Sequence, residues 1–461
     1  MAIIQDNLGQ NTLAVDSTGS ASVKITNTPL VSFNNDDFSK DSFERLRVSQ
    51  PVVVFEDSFA ALLPNAKTTI WEAAAVASGT ANLTANLYGT ELNTLLTNGS
   101  GYWIQSYNHV RYAPGISTLF RITFNFNQFI TSVRQRVGMF TDQGTYPSNA
   151  GDGFYLEADG STVSVVRRYM TTGTAGAEER ISQANWNMDK LDGTGPSGVN
   201  LDWTKAQHFV VEYQWLGVGT IRYGFETGQN QVVWCHQIIS VNALSKSWSR
   251  TGTLPVRAEI YSTGVLATAG KLTLINCVVI HEGDVGDLRG WKYFGGNSGA
   301  TPKIGGLVAA TWYPVMGIRA VGTNDLTKRA RIIPTSVTFS VATVATGPTL
   351  LQVGLMMLAT PNTGATYAVT TGGSATVIDV AATASTAVTG TLIWSGLIPN
   401  VVGCYTFDLS TLNDNMNVIG TVASGTQAIT GAGNLTVVAG CVQTATVGAS
   451  VVASLNWKEL V

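Results

Sequence analysis

The residues best able to do chemistry in this chain are few and scattered. Its four histidines, His109, His208, His236 and His281, each stand alone. None shows the His-x-x-His or HExxH spacing that holds a metal. No GxSxG nucleophile elbow and no phosphate-binding glycine loop occurs. The acids offer two arrangements to weigh. Asp189 and Asp192 with Asp202, or Asp142, Asp152 and Asp159, are candidate calcium loops. Calcium loops, however, place oxygens at every second position. Here Asp189 and Asp192 are three apart and Lys190 intrudes, so carboxylates capping backbone amides in turns are the better reading. Glu157 and Asp159 share one strand parity and form the only loose candidate for the paired carboxyls of glycoside hydrolysis. Cys235, Cys277, Cys404 and Cys441 lack any CxxC spacing and read as small apolar core residues. On these grounds the chain is expected to have no catalytic residue, no metal, no cofactor and no enzymatic activity.

The elements that would position these residues read as strands. Phe120, Ile122, Phe124 and Phe126 alternate with polar residues, a period of two. In the same way Phe209, Val211 and Tyr213 alternate, then Ile221, Tyr223 and Phe225, across the glycine-bearing turn Trp215–Gly219. That pair predicts an antiparallel hairpin. Asp159-Gly160 predicts another between Gly153–Glu157 and Ser161–Val165. Leu272–His281 predicts a strand with Leu272, Leu274, Val278 and Ile280 on one side. Helical periodicity is confined to Asp41–Val48 and Glu91–Leu96. The aromatics concentrated between residues 100 and 235 suit a core or a subunit interface. Many short strands at close spacing predict an all-β chain of antiparallel, jelly-roll-like sandwiches.

At 461 residues the chain exceeds one ordinary core. Three regions are expected: an extended N-terminal arm and docking segment (1–51), a large jelly-roll or lectin-like sandwich (52–296) and a smaller C-terminal sandwich (297–461). The small-residue stretch Trp291–Gly299 is read as the linker between the sandwiches. Beyond it the chain is rich in Ala, Thr, Val and Gly and nearly free of acids.

Only 12% of residues are charged and the net charge is −3. A net-acidic chain without a basic tract does not bind nucleic acid by its electrostatic footprint. No uninterrupted apolar run of membrane-spanning length and no signal peptide is visible, so synthesis in the cytoplasm is expected. A free monomer ordinarily carries about 25–35% charged residues on its surface. So sparse a supply predicts that copies of the chain cover one another. Phe43, Arg45, Leu46, Arg47 and Val48 are the expected docking clasp, with Trp215 as a further interface residue.

Three stretches together resemble a family of tailed-bacteriophage virion structural proteins. They are SFERLRVSQPVVVF (Ser42–Phe55), the block from Ser182 to Phe225, and a tail that runs from Ile318-Arg319-Ala320 to Leu455-Asn456-Trp457-Lys458-Glu459. The resemblance implies a multi-copy virion protein made in the infected bacterium: a head decoration, neck or collar component, or tail appendage. Its implied partners are further copies of itself, in a homo-oligomer that would be trimeric in a fibre or decoration, and other virion proteins. Two alternatives accompany it: an adhesin or tail-fibre module that binds host-surface glycan, and a polysaccharide-degrading tailspike enzyme.

Overall fold

A computed structural model describes residues 50–460 apart from 61, 68–69, 77–82, 143–150, 171–175, 229–231, 284–290, 297–310, 321–330, 345–349, 359–366, 370–375, 380–387, 410–433 and 442–449. It also describes three short strands before residue 23. Among the described residues there is no α-helix, and every strand pair is antiparallel. The chain is all-β, as the alternating residues predict.

Residues 1–40 form one compact unit, in which β1 (Ile3–Gln5), β2 (Thr12–Val15) and β3 (Ala21–Ser22) pair in that order. The clasp residues Phe43, Arg45, Leu46, Arg47 and Val48, and the helical candidate Asp41–Val48, lie outside the described residues.

Residues 41–461 form the second unit. It begins with β4 (Val52–Ser58), β5 (Trp71–Val76), β6 (Leu83–Asn86), β7 (Gly89–Asn93), β8 (Gly101–Val110) and β9 (Thr118–Asn125). There follow β10 (Val133–Phe140), β11 (Gly153–Asp159), β12 (Thr162–Tyr169), β13 (Ala177–Ser182) and β14 (Gln207–Tyr213). Next come β15 (Ile221–Glu226), β16 (Val232–Ile238), β17 (Leu254–Ser262) and β18 (Lys271–His281). These strands make two sheets. One is seven-stranded, in the order β13-β12-β11-β10-β17-β8-β5. The other is eight-stranded, β16-β15-β14-β9-β18-β7-β6, with β4 also on β18. Their facing residues form one core. Val137, Met139, Phe154, Leu156 and Ile260 of the first sheet meet Phe120, Ile122, Phe209, Val211 and Tyr223 of the second.

A second, smaller sandwich follows. Its strands are β19 (Trp291–Gly296), β20 (Trp312–Ala320), β21 (Arg331–Thr343), β22 (Leu350–Leu358) and β23 (Tyr367–Val369). They continue as β24 (Thr376–Asp379), β25 (Thr391–Pro399), β26 (Gly403–Asp408), β27 (Asn434–Cys441) and β28 (Ser450–Leu460). The sheet β19-β28-β21-β26 faces the sheet β23-β24-β20-β27-β22-β25. Val337, Phe339, Leu455 and Trp457 pack there against Val315, Ile318, Leu351, Val353 and Leu355.

Three expectations are corrected. Trp291–Gly296 is not a linker: it is β19, paired residue for residue with Glu459–Ser454 of β28, so the second sandwich starts at Trp291. Its glycines mislead because Gly295 and Gly296 sit in the ladder. Glu91–Leu96 is not helical, since Glu91–Asn93 closes β7 against β18. The inward face of β18 changes midway. A register shift between Leu274 and Asn276 turns Cys277 and Val279 into the core and leaves Val278 and Ile280 on the outer face. One extra residue in a strand inverts every side chain that follows it.

Candidate functional site

The chemistry-bearing side chains gather on the outer face of the seven-stranded sheet. Strand alternation puts them there. On β10 Val137 and Met139 point into the core, which leaves Arg136, Gly138 and Phe140 outward. The register then sets Arg136 opposite Glu157 on β11 and Glu259 on β17, and carries Glu259 to Trp103 on β8. The next row runs from Tyr155 through Gly138 and Arg257 to Gln105 and Glu72 on β5.

The charges on this face are paired. Arg136 Nε lies 2.6 Å from Glu157 Oε2 and its Nη1 lies 2.9 Å from Glu259 Oε1. Arg257 Nε lies 2.8 Å from the other oxygen of Glu259, and its Nη1 donates to Gln105 Oε1 at 3.0 Å. Arg180 Nε holds Glu157 Oε1 at 2.6 Å, and Arg180 also pairs with Glu178. Arg168 Nη2 reaches Glu178 at 2.7 Å, and the Tyr155 hydroxyl donates to the same carboxylate at 2.6 Å. Guanidinium groups also lie over rings: Arg257 is 4.7 Å from the Trp103 centroid, and Arg136 is 5.2 Å from those of Tyr155 and Tyr261. Arg136, Arg168, Arg257 and Glu259 are buried.

Burial by itself would raise the carboxyl pKa values. For Glu157 the opposing fields of Arg136 and Arg180 outweigh it, and the group is held below the usual range. Glu178, facing Arg168 and Arg136, is lowered to about 2 in spite of its burial. Glu259 is likewise lowered, by Arg257 and Arg136. Glu72 differs. Burial raises it to about 7, and Arg257, already committed to Glu259 and Gln105, offsets that only in part. Its Oε2 is buried without a hydrogen-bond partner.

This arrangement decides the paired-acid reading. Glu157 is clamped between two arginines, and Asp159 pairs with Arg134 at 2.8 Å. Glu157, held ionised in that way, does not serve as a general acid. Glu72 is the acid here whose surroundings let it keep a proton at neutral pH. Nothing in WEAAAV singles it out except an acid in an otherwise apolar strand.

The remaining candidates are dispersed. Asp189 caps its own loop, accepting from Leu191 N at 2.8 Å and Ser197 N at 2.7 Å. Asp192 and Asp202 accept from the amide and hydroxyl of Thr194 and Thr204. Asp152 is engaged by Arg250, whose Nη2 lies 2.6 Å away. Among the described residues no group of His, Cys, Asp and Glu could hold a metal ion. His208 pairs with Glu226 at 3.0 Å, while burial pushes His236 and His281 down to about 4. Cys235 and Cys277 are buried as expected, but Cys404 is exposed on β26, on the parity opposite to Tyr405 and Phe407. Trp215 is turned to internal use. It donates to Ser249 Oγ at 2.8 Å and meets the Tyr112 ring edge-on at 5.5 Å. The apolar side chain exposed at that hairpin tip is Leu216.

A second surface is apolar. β25 is the last strand of one sheet and β26 the last of the other, joined across residues 400–402. They therefore flank the same open side of the second sandwich. Trp394 and Phe407 close its interior, ring centroids 4.9 Å apart. Outside that closure Leu397 is 54% exposed, Val401 58% and Val402 63%.

Two antiparallel sheets closed over a common core, with the ionisable groups on an outer sheet face, define a jelly-roll-like sandwich protein. No family model matches the chain, and no curated protein does. Among solved structures it is similar to an endo-1,3-β-glucanase from Streptomyces sioyaensis, at 10% identity over 51% of this chain and 97% of that one, with a TM-score of 0.35. It is also similar to a β-glucanase from Bacillus licheniformis, at 11% identity over 49% and 96% of the two chains, TM-score 0.31. A legume lectin-like domain from Entamoeba histolytica gives 9% identity over 50% and 97%, TM-score 0.31. These likenesses concern the fold alone. The expectation that the chain is not an enzyme is nonetheless corrected. Glycoside hydrolases are among the similar structures, and missing sequence motifs do not exclude catalysis, since catalytic groups are brought together in space and not by their spacing in the chain.

Proposed function

We propose that the chain is a multi-copy structural protein of a virion, of the tailed-bacteriophage class that its Ser42–Phe55 and Ser182–Phe225 blocks resemble, assembled from copies of itself with other virion proteins. The observation that carries this reading is the charge content of the second sandwich. From Ile332 to Trp457 the charged residues are Asp379, Asp408 and Asp414 alone. Apolar side chains nevertheless stand exposed on its open side. An exterior of that kind is stable in water chiefly when other protein covers it. Sedimentation velocity of the purified full chain tests the reading. Multi-subunit species are expected at micromolar concentration, and immunogold labelling should decorate intact particles. A monodisperse monomer, or unlabelled particles, would overturn it.

A second reading, carbohydrate recognition or processing at the outer face of the seven-stranded sheet, is favoured by Glu72. An acid that keeps its proton near neutral pH, on a face with Gln105, Arg257 and Trp103, is suited to donating to a sugar oxygen. Glycan-array binding and reducing-sugar release, each compared with Glu72→Gln, test it. Equal signals from the two proteins, or none from either, remove it.

A further inference from the structure

The open side of the second sandwich invites a more specific statement, which rests on the multi-copy reading. We propose that the β25–β26 side is an interface between copies of this chain, formed by the same side of a second copy laid against it so that β25 gains a strand neighbour.

Among the described residues, β25 is paired on one side only, to β22. No described strand pairs with its other backbone edge. Soluble proteins defend such edges with lysine, inward charges, bulges or very short strands. β25 runs nine residues, and its defences are a bulge at Ile393, between the pairings of Leu392 and Trp394, and Pro399 at the last position. No charged residue occurs from Val380 to Phe407, which spans β25, the connection and nearly all of β26. Leu397 stands on the outer face of β25 and Val401 and Val402 in the connection to β26, while Trp394, Tyr405 and Phe407 already seal the core. The exposed residues are therefore not spare core.

The choice of occupant follows from charge complementarity. Covering this side with a partner surface of ordinary composition would desolvate that partner's charges against apolar atoms with no counter-charge to meet them, at a cost of several kcal/mol per ion. An uncharged surface avoids that penalty, and the same side of another copy is uncharged from β25 to Phe407, with Asp408 at the far end of β26 its one charge. Symmetry agrees. A strand that pairs with its own copy across a twofold axis is necessarily antiparallel, and every strand pair in this sheet is already antiparallel. The join would continue the existing ladder across the subunit boundary.

The test uses the full chain. Sedimentation velocity is compared for the wild type, the double variant Leu397→Lys/Val401→Lys and, as a control, Val53→Lys, an exposed apolar position on β4. The double variant is expected to lose a roughly twofold association step, while Val53→Lys keeps the wild-type mass. Hydrogen exchange on the assembled wild type gives a readout that does not depend on how a variant folds. The β25 amides should be protected in the assembly and exchange faster on dilution. An assembled wild type with an equally assembled double variant, or with unprotected β25 amides, would overturn this interface and leave the multi-copy reading intact. A monomeric wild type would overturn both.

Discussion

Replacing Glu72 with glutamine isolates one proton in the ionic layer. In the folded chain the Glu72 carboxyl is pushed by burial from 4.5 to about 7. Unfolding restores the ordinary value, so between those two pH values the native state binds a proton that the unfolded state releases. Stability must then fall as pH rises through that window and level off above it. A difference of about 2.5 pKa units at about 1.36 kcal/mol each corresponds to about 3 kcal/mol. Two buried histidines act in the opposite sense. His236 and His281 are depressed from 6.5 to about 4, so the unfolded chain binds their protons more readily and stability rises with pH over that range. Both are present in Glu72→Gln and cancel when the proteins are subtracted. The assay is urea unfolding at pH 4.5, 6 and 8, followed through exchange of the β8 and β10 amides so that the first sandwich is read by itself. The wild type should lose about 3 kcal/mol relative to the variant between pH 4.5 and 8. Parallel pH profiles would refute the argument, because they would mean that Glu72 is as well compensated as its neighbours.

Other consequences concern the same layers. Arg136→Met removes the cation shared by Glu157 and Glu259 and leaves two buried carboxylates undercompensated. A loss of about 3–5 kcal/mol in unfolding free energy is expected. Asp189→Ala deprives the amides of Leu191 and Ser197 of their acceptor. Exchange of the 189–197 segment should accelerate, with a loss of up to about 3 kcal/mol. Thiol labelling followed by mass spectrometry should modify Cys404 in the native chain. Cys235 and Cys277, buried and with their pKa values pushed up, should label only after unfolding.

Much of the architecture was legible in the sequence because a strand's inward and outward residues are set locally, two positions apart. The hairpins at Asp159-Gly160 and at Trp215–Gly219, the aromatic face of Phe120–Phe126 and the all-β class all follow from that period. Legible too, from composition, was a C-terminal region nearly free of acids. Composition could not say which of its strands would be left at an edge.

Tertiary structure decided whatever depends on register and on residues distant in the chain. A bulge after Leu274 reversed the inward face of β18, and no residue type announces such a shift. Arg136 finds its carboxylates 21 and 123 positions away, so Glu157 looked free in sequence and is clamped in space. Glu72 is the converse: an unremarked acid in an apolar strand, made distinctive because its neighbour Arg257 is already engaged elsewhere. Burial and electrostatic compensation are properties of the closed sheet. The alternation that builds the sheet is a property of the chain.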